Sequence, residues 1–215
     1  MTTNNHDLEA SQEEPQPFSR QELRGMLGAP LRLVDLVLGE RRRFAANVLQ
    51  EHRLPTLLFV LTIATAAFAL PFGAVLGPGR FWRIAVLLLG GLAICVPSLH
   101  VFGRYIGARL SWAQTLSIAL ASTAVTALFS LALAPILGFF RITMSASEAV
   151  TPQIMAVTLL VLAFMAGIGQ LFRLALGDRT LARRIGPAAI PLIIPWLVLY
   201  LIITVRLANV LGIGA

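Results

Sequence analysis

Apolar residues dominate five long runs, and most charged residues fall in the stretches before and between them. The runs cover residues 54–76, 81–102, 113–140, 152–176 and 187–211. Each exceeds the roughly 20 residues a helix needs to cross a hydrocarbon core of about 30 Å. None alternates apolar and polar positions over about ten residues, as a membrane strand would. The pattern predicts an all-α polytopic membrane protein, with five transmembrane helices making one domain over residues 54–215. Pro97, Pro135, Pro191 and Pro195 are expected to kink the second, third and fifth of them.

The stretch ahead of the runs divides in two. Residues 1–30 are polar and acidic, with Asp7, Glu9, Glu13 and Glu14 and several prolines, the composition of a disordered arm. Within it, Ser19 and Glu22 stand at the spacing of a capping box and could open a short helix. Residues 31–53 place Leu31, Val34, Leu38, Phe44, Val48 and Leu49 on one helical face and charges on the other. This predicts a cytoplasmic amphipathic helix lying in the membrane interface, its apolar side among the headgroups. Residues 1–20 lack a basic region followed by an apolar one, so the first span is expected to act as the uncleaved insertion signal.

Composition agrees with the pattern. Of 215 residues, 57% are hydrophobic and 13% charged, and the mean hydropathy is +0.82. Globular domains carry about 25% charged residues. The net charge of +7 comes entirely from arginine, since the chain contains no lysine. The arginines sit at the ends of the apolar runs, where they act as orientation signals and do not form a nucleic-acid surface. Arg41, Arg42, Arg43, Arg53, Arg104, Arg109, Arg173, Arg179, Arg183 and Arg184 fall on one side, against Arg80, Arg83, Arg141 and Arg206 on the other. Ten against four places the N-terminus in the cytoplasm and, after five crossings of the cell membrane, the C-terminus outside.

Candidate chemistry is sparse. Beyond Arg53 the acidic residues are Glu148 and Asp178, both between runs. No paired carboxylates, Ser/His/Asp set, phosphate-cradling loop or metal-ligand cluster is visible, so no catalytic, cofactor or metal site is expected. Cys95 reads as a packed core residue. The basic residues Arg41, Arg42, Arg43, Arg104, Arg109, Arg183 and Arg184 form the candidate surface for anionic headgroups or a partner. His100, Gln114, Gln170 and Arg206 are the candidate intramembrane polar contacts. Arg206 is expected to snorkel to the interface, the alternative being a contact with Gln170 or a partner chain. Gly73 with Gly77, Gly103 with Gly107, Ser117 with Ala121 and Ala163 with Gly167 have the small-xxx-small spacing of close helix approach.

The order of these features resembles a known family. The segment Gly39-Glu40-Arg41-Arg42-Arg43-Phe44 precedes five spans, and the loop after the second runs from Gly103 through Gly107 to Ser111-Trp112-Ala113-Gln114. The third run ends toward Ala134-Pro135. Over residues 31–211 the chain resembles the Yip family of Rab-interacting five-span membrane proteins, particularly its prokaryotic relatives. Gly107, Ser111, Trp112 and Gln114 carry the likeness. The resemblance implies a non-enzymatic scaffold or accessory protein that binds partners in the bilayer. The remaining alternatives are a transporter or channel component, with Gln114, Gln170 and Arg206 along a path, and a small subunit of a larger membrane complex. The expected partners are membrane lipid and other membrane subunits or a second copy of the chain, not nucleic acid.

Overall fold

Helices occupy the apolar runs, and local punctuation sets their ends. The computed structural model describes residues 18–26, 28–39, 41–49, 54–77, 79–143, 150–177 and 190–213. Among these residues the secondary structure is helical, with no strand. Short helices come first: α1 (Arg20–Met26), α2 (Pro30–Val34), which widens into a π-helical turn over Asp35–Gly39, and α3 (Arg41–Leu49). The long helices follow as α4 (Leu54–Leu76), α5 (Arg83–Tyr105), α6 (Trp112–Thr143), α7 (Val150–Gly177) and α8 (Ile190–Val210). Helices α4 to α7 are each long and apolar enough to cross a membrane, the make-up of a multi-pass membrane protein. The described apolar part of α8 is shorter, Ile194–Val210. Pro71, Pro97, Pro135 and Pro195 all lie inside helices that continue past them.

Two of the ends show how the sequence does this. At the end of α5, Gly107 takes φ 95°, the Ala108 N–H donates to the Gly103 carbonyl at 2.9 Å and the Gly107 N–H to that of Arg104 at 3.1 Å. That is a Schellman stop. Gly103 and Gly107 therefore end a helix and do not bring two helices together. Four residues on, α6 opens with a capping box. The Gln114 N–H donates to Ser111 Oγ at 3.3 Å, and Gln114 Oε1 accepts from the Ser111 N–H at 2.9 Å. The C-terminus of α8 repeats the Schellman stop on Gly212 (φ 62°), with the Ile213 N–H on the Ala208 carbonyl at 3.0 Å.

The bundle is built around α6. Of its apolar window 61% is buried, against 33–44% for α4, α5 and α7. The sequence explains why: α6 is rich in Ala, Ser and Thr, and Ala119, Ala121, Ala124, Ala127 and Ala134 let neighbours come close. Helices α4 and α7 pack along it, and α5 packs on α4, α6 and α8. Successive long helices reverse direction, so α4, α6 and α8 run one way and α5 and α7 the other. Contacts between Arg141 and Val75, Ser122 and Gly167, and Arg83 and Leu211 fit that arrangement.

The N-terminal segment differs from expectation in two respects. Of the expected disordered arm, residues 1–17 lie outside the described residues, whereas Phe18, Leu23 and Met26 are buried in the same core as α4 and α6, and α1 carries the expected capping box. In that box the Glu22 N–H donates to Ser19 Oγ at 3.1 Å, and Glu22 Oε2 accepts from the Ser19 N–H at 2.6 Å. Averaged composition hid the local apolar positions that dock this piece. Secondly, the apolar face of this segment is turned to the bundle: α2 runs into the π-turn, α3 follows from Arg41, and residues 40 and 50–53 lie outside the described residues. Leu33, Leu36, Phe44 and Val48 face the bundle, where α3 packs on α4 and α6. A close-packed apolar surface next door removes this face from water and supplies dispersion contacts as well.

Candidate functional site

Two places gather the polar side chains: an interior seam along α6, and the arginines at the two ends of the bundle. The seam begins with hydroxyls on α6. Ser117, Thr123, Thr126 and Ser130 each donate to the carbonyl four residues back, of Ala113, Ala119, Ser122 and Thr126. That back-bonding satisfies a hydroxyl inside an apolar helix. Ser122 instead crosses to another helix, donating to the Gly167 carbonyl of α7 at 2.6 Å. The crossing is possible because residue 167 is glycine. A Cβ there would collide with Thr126 Oγ1 and lie 2.8 Å from the Ser122 carbonyl.

Beside this crossing lies a cleft lined by Ser122, Thr123, Thr126, Phe164, Trp196 and Tyr200, among others. The two rings from α8 stack at 5.5 Å, and Tyr200 also meets Phe164 at 5.1 Å. Both polar handles are used. Trp196 Nε1 donates to the Cys95 carbonyl at 3.0 Å, and the Tyr200 hydroxyl reaches the Leu88 carbonyl at 3.4 Å. The N–H that Pro97 lacks would have served the Ala93 carbonyl, so Pro97 does not account for the indole bond to the Cys95 carbonyl. Ser98 Oγ donates to the same carbonyl at 2.7 Å. Gly91 makes room for the Tyr200 ring: a Cβ at 91 would stand 3.2 Å from its Cε2. The cleft has room for about one water molecule. Its chemistry is cohesive, since its side-chain donors are already spent on carbonyls of the bundle. Two buried acceptors, Asn47 Oδ1 and Thr204 Oγ1, have no partner among the described residues.

The arginines behave differently at the two ends. At one end, Arg83 Nη1 donates to the carbonyls of Leu211 at 2.6 Å and Gly212 at 3.3 Å, closing the C-terminus of α8. Arg141 Nη1 donates to the Val75 carbonyl, closing that of α4. A cation on orphan carbonyls also meets the negative end of the helix dipole. At the other end, Arg104, Arg109 and Arg173 are exposed and make no hydrogen bond or ion pair among the described residues.

The residues expected to matter therefore separate. Arg43 is half-buried, 3.8 Å from the Glu22 carboxylate, with its guanidinium 4.3 Å above the Phe18 ring. It clasps α3 to α1 and is not freely presented. Arg41 and Arg42 begin α3 with side chains outside the described residues, and Arg183 and Arg184 lie outside them altogether. His100 Nδ1 is 3.3 Å from Thr115 Oγ1, and its ring meets the edge of Trp112 at 5.1 Å. Gln114 is buried as a helix cap, and Gln170 is buried and partnered. Arg206 is exposed and has no polar partner among the described residues, so the contact with Gln170 is not made. None of Gln114, Gln170 and Arg206 lines the cleft.

Sequence reasoning missed Trp196, Tyr200, Ser122, Arg83 and Arg141. A signal existed for the first two: aromatic residues with polar tips, four apart in an apolar run, need interior acceptors. Compared with known proteins, the chain matches no family model, no curated protein and no solved structure.

Proposed function

We propose that the chain is a five-span accessory protein of the cell membrane, with its N-terminus in the cytoplasm and its C-terminus outside. It acts by holding partners in or against the bilayer, not by catalysis. The observation that carries this reading is the use of the interior polar groups. Ser122, Thr123, Thr126, Trp196 and Tyr200 all donate to carbonyls of the bundle itself, so the interior serves cohesion and the outer faces are left for interaction. Helix α8 is the fifth span in this reading: its 21 residues at 1.5 Å each match a core of about 30 Å. The arginine count supports the orientation, and so does the division of labour, with unpartnered cations at the proposed cytoplasmic end.

The likeness to the Yip family belongs to this proposal. It supplies the five-span topology and the accessory role, and no GTPase partner is carried over with it.

Purification of the full chain in mild detergent, with mass measurement of what travels with it, tests the role. A monomer or homodimer that recruits other membrane proteins substoichiometrically is expected. A fixed stoichiometric complex would make the chain a subunit instead, and solute flux in liposomes containing the chain alone would make it a transporter.

A further inference from the structure

We infer that the α5–α6 tip, residues 101–112, is the chain's docking element for anionic phospholipid headgroups. This rests on the proposed cytoplasmic placement of that tip. Three observations converge there. Arg104 and Arg109 are exposed and have no polar partner among the described residues, whereas Arg43 is engaged by Glu22 and Phe18 and Arg83 and Arg141 by helix carbonyls. Large aromatics flank them: Phe102 is 52% exposed, Tyr105 90% and Trp112 45%. The tip is also held in shape. The Schellman stop at Gly107, the capping box at Ser111 and the His100 contacts to Thr115 and Trp112 fix where the side chains start.

The combination selects the occupant. Guanidinium groups present a donor fork that suits a phosphodiester. Tyrosine and tryptophan rings settle at the headgroup level, polar tip outward and apolar body toward the acyl chains. A soluble acidic partner would match the charge, but the tip ends an apolar helix long enough to span, which in the proposed topology sets Phe102 and Tyr105 at the headgroup level. A headgroup layer satisfies both, and an anionic one satisfies the charge.

The test uses the full-length chain, stripped of lipid in mild detergent and offered equal amounts of phosphatidylglycerol and phosphatidylcholine. Retained lipid is counted by native mass spectrometry. The native chain is expected to retain phosphatidylglycerol preferentially. Arg104→Gln and Arg109→Gln should each lower that preference about fivefold, and together roughly thirtyfold. Arg104→Lys with Arg109→Lys should keep most of it, because the charge stays. Arg206→Gln should leave it unchanged.

Equal retention of both lipids by the native chain would overturn the inference. So would an unaltered preference in the double Gln variant, or an equal loss in Arg206→Gln. If the double variant fails to fold, salt decides: the preference of the native chain should fall as ionic strength rises, and a salt-independent preference overturns the inference. Preferential capture of an acidic soluble protein, with no lipid preference, would overturn it as well. A reporter inserted after Gly107 separates the two levels. A reporter outside the cell removes the proposed topology itself, while one in the cytoplasm without lipid preference removes only the docking role.

Discussion

At the scale of single residues, Gly167 and the Trp196–Tyr200 pair do most to hold the interior. Gly167→Ala drives a methyl into Thr126 Oγ1 and the Ser122 carbonyl, and both belong to the best-buried helix. It is expected to cost about 1–3 kcal/mol. A Cβ added at Gly169, two residues on in the same helix, would meet nothing within 4 Å, and Gly169→Ala should stay within about 0.5 kcal/mol. Unfolding of both variants in detergent checks the contrast, and equal losses would mean that α6 and α7 do not cross at residue 167. Trp196→Phe removes a 3.0 Å bond to the Cys95 carbonyl and should cost about 1 kcal/mol or more. Tyr200→Phe removes a longer bond of 3.4 Å and should cost less. The same unfolding measurement ranks them, and the reverse order would show that the handle on Leu88 is the stronger one.

At the scale of elements, helix ends decide where the chain turns. Ser111→Ala and Gln114→Ala should each cost about 1 kcal/mol. The two bonds are separate, each from one side chain to the other residue's backbone N–H, so the double variant should cost about the sum. No loss in either single variant, read by unfolding in detergent, would mean that the capping box does not form. Arg83→Met should release the end of α8. Amide exchange over α8 is expected to accelerate while that over α6 stays slow, and unchanged exchange would show that the Schellman stop suffices alone.

Much at this scale was legible. Long apolar runs read as helices because a helix satisfies its own backbone in an apolar setting and the runs lack the alternation of a membrane strand, and Ser19–Glu22 read as a capping box. The segment Ser111–Gln114 carries part of the likeness to a family motif. Its physical content is helix punctuation, shared with the Schellman stop at Gly103–Gly107, and it needs no partner to explain it. The docking of Phe18, Leu23, Phe44 and Val48 was not legible. An amphipathic face has the same pattern whether it meets headgroups or a neighbouring helix, and only the three-dimensional course of the chain chooses between them. The arginine caps were hidden for a similar reason, since a basic residue at a helix end serves orientation and carbonyl capping alike. Arg83 and Arg141 do the second.

At the scale of the whole molecule, the helices pack around the small-residue α6, with Arg83 and Arg141 committed to helix ends on one side and Arg104, Arg109 and Arg173 available on the other. In the proposed topology this is a five-span bundle. The spans were legible as apolar helices, whereas the division among the arginines needed the packing. The most direct measurement of the central claim is the sidedness of four points in one chain, read by labelling single cysteines in a Cys95→Ser background. The points are the N-terminus, Gly79, Gly107 and the C-terminus. Labelling from outside the cell is expected at Gly79 and the C-terminus, with the N-terminus and Gly107 protected until the membrane is opened. Both termini on the same side would contradict it, because α8 would then not be a span.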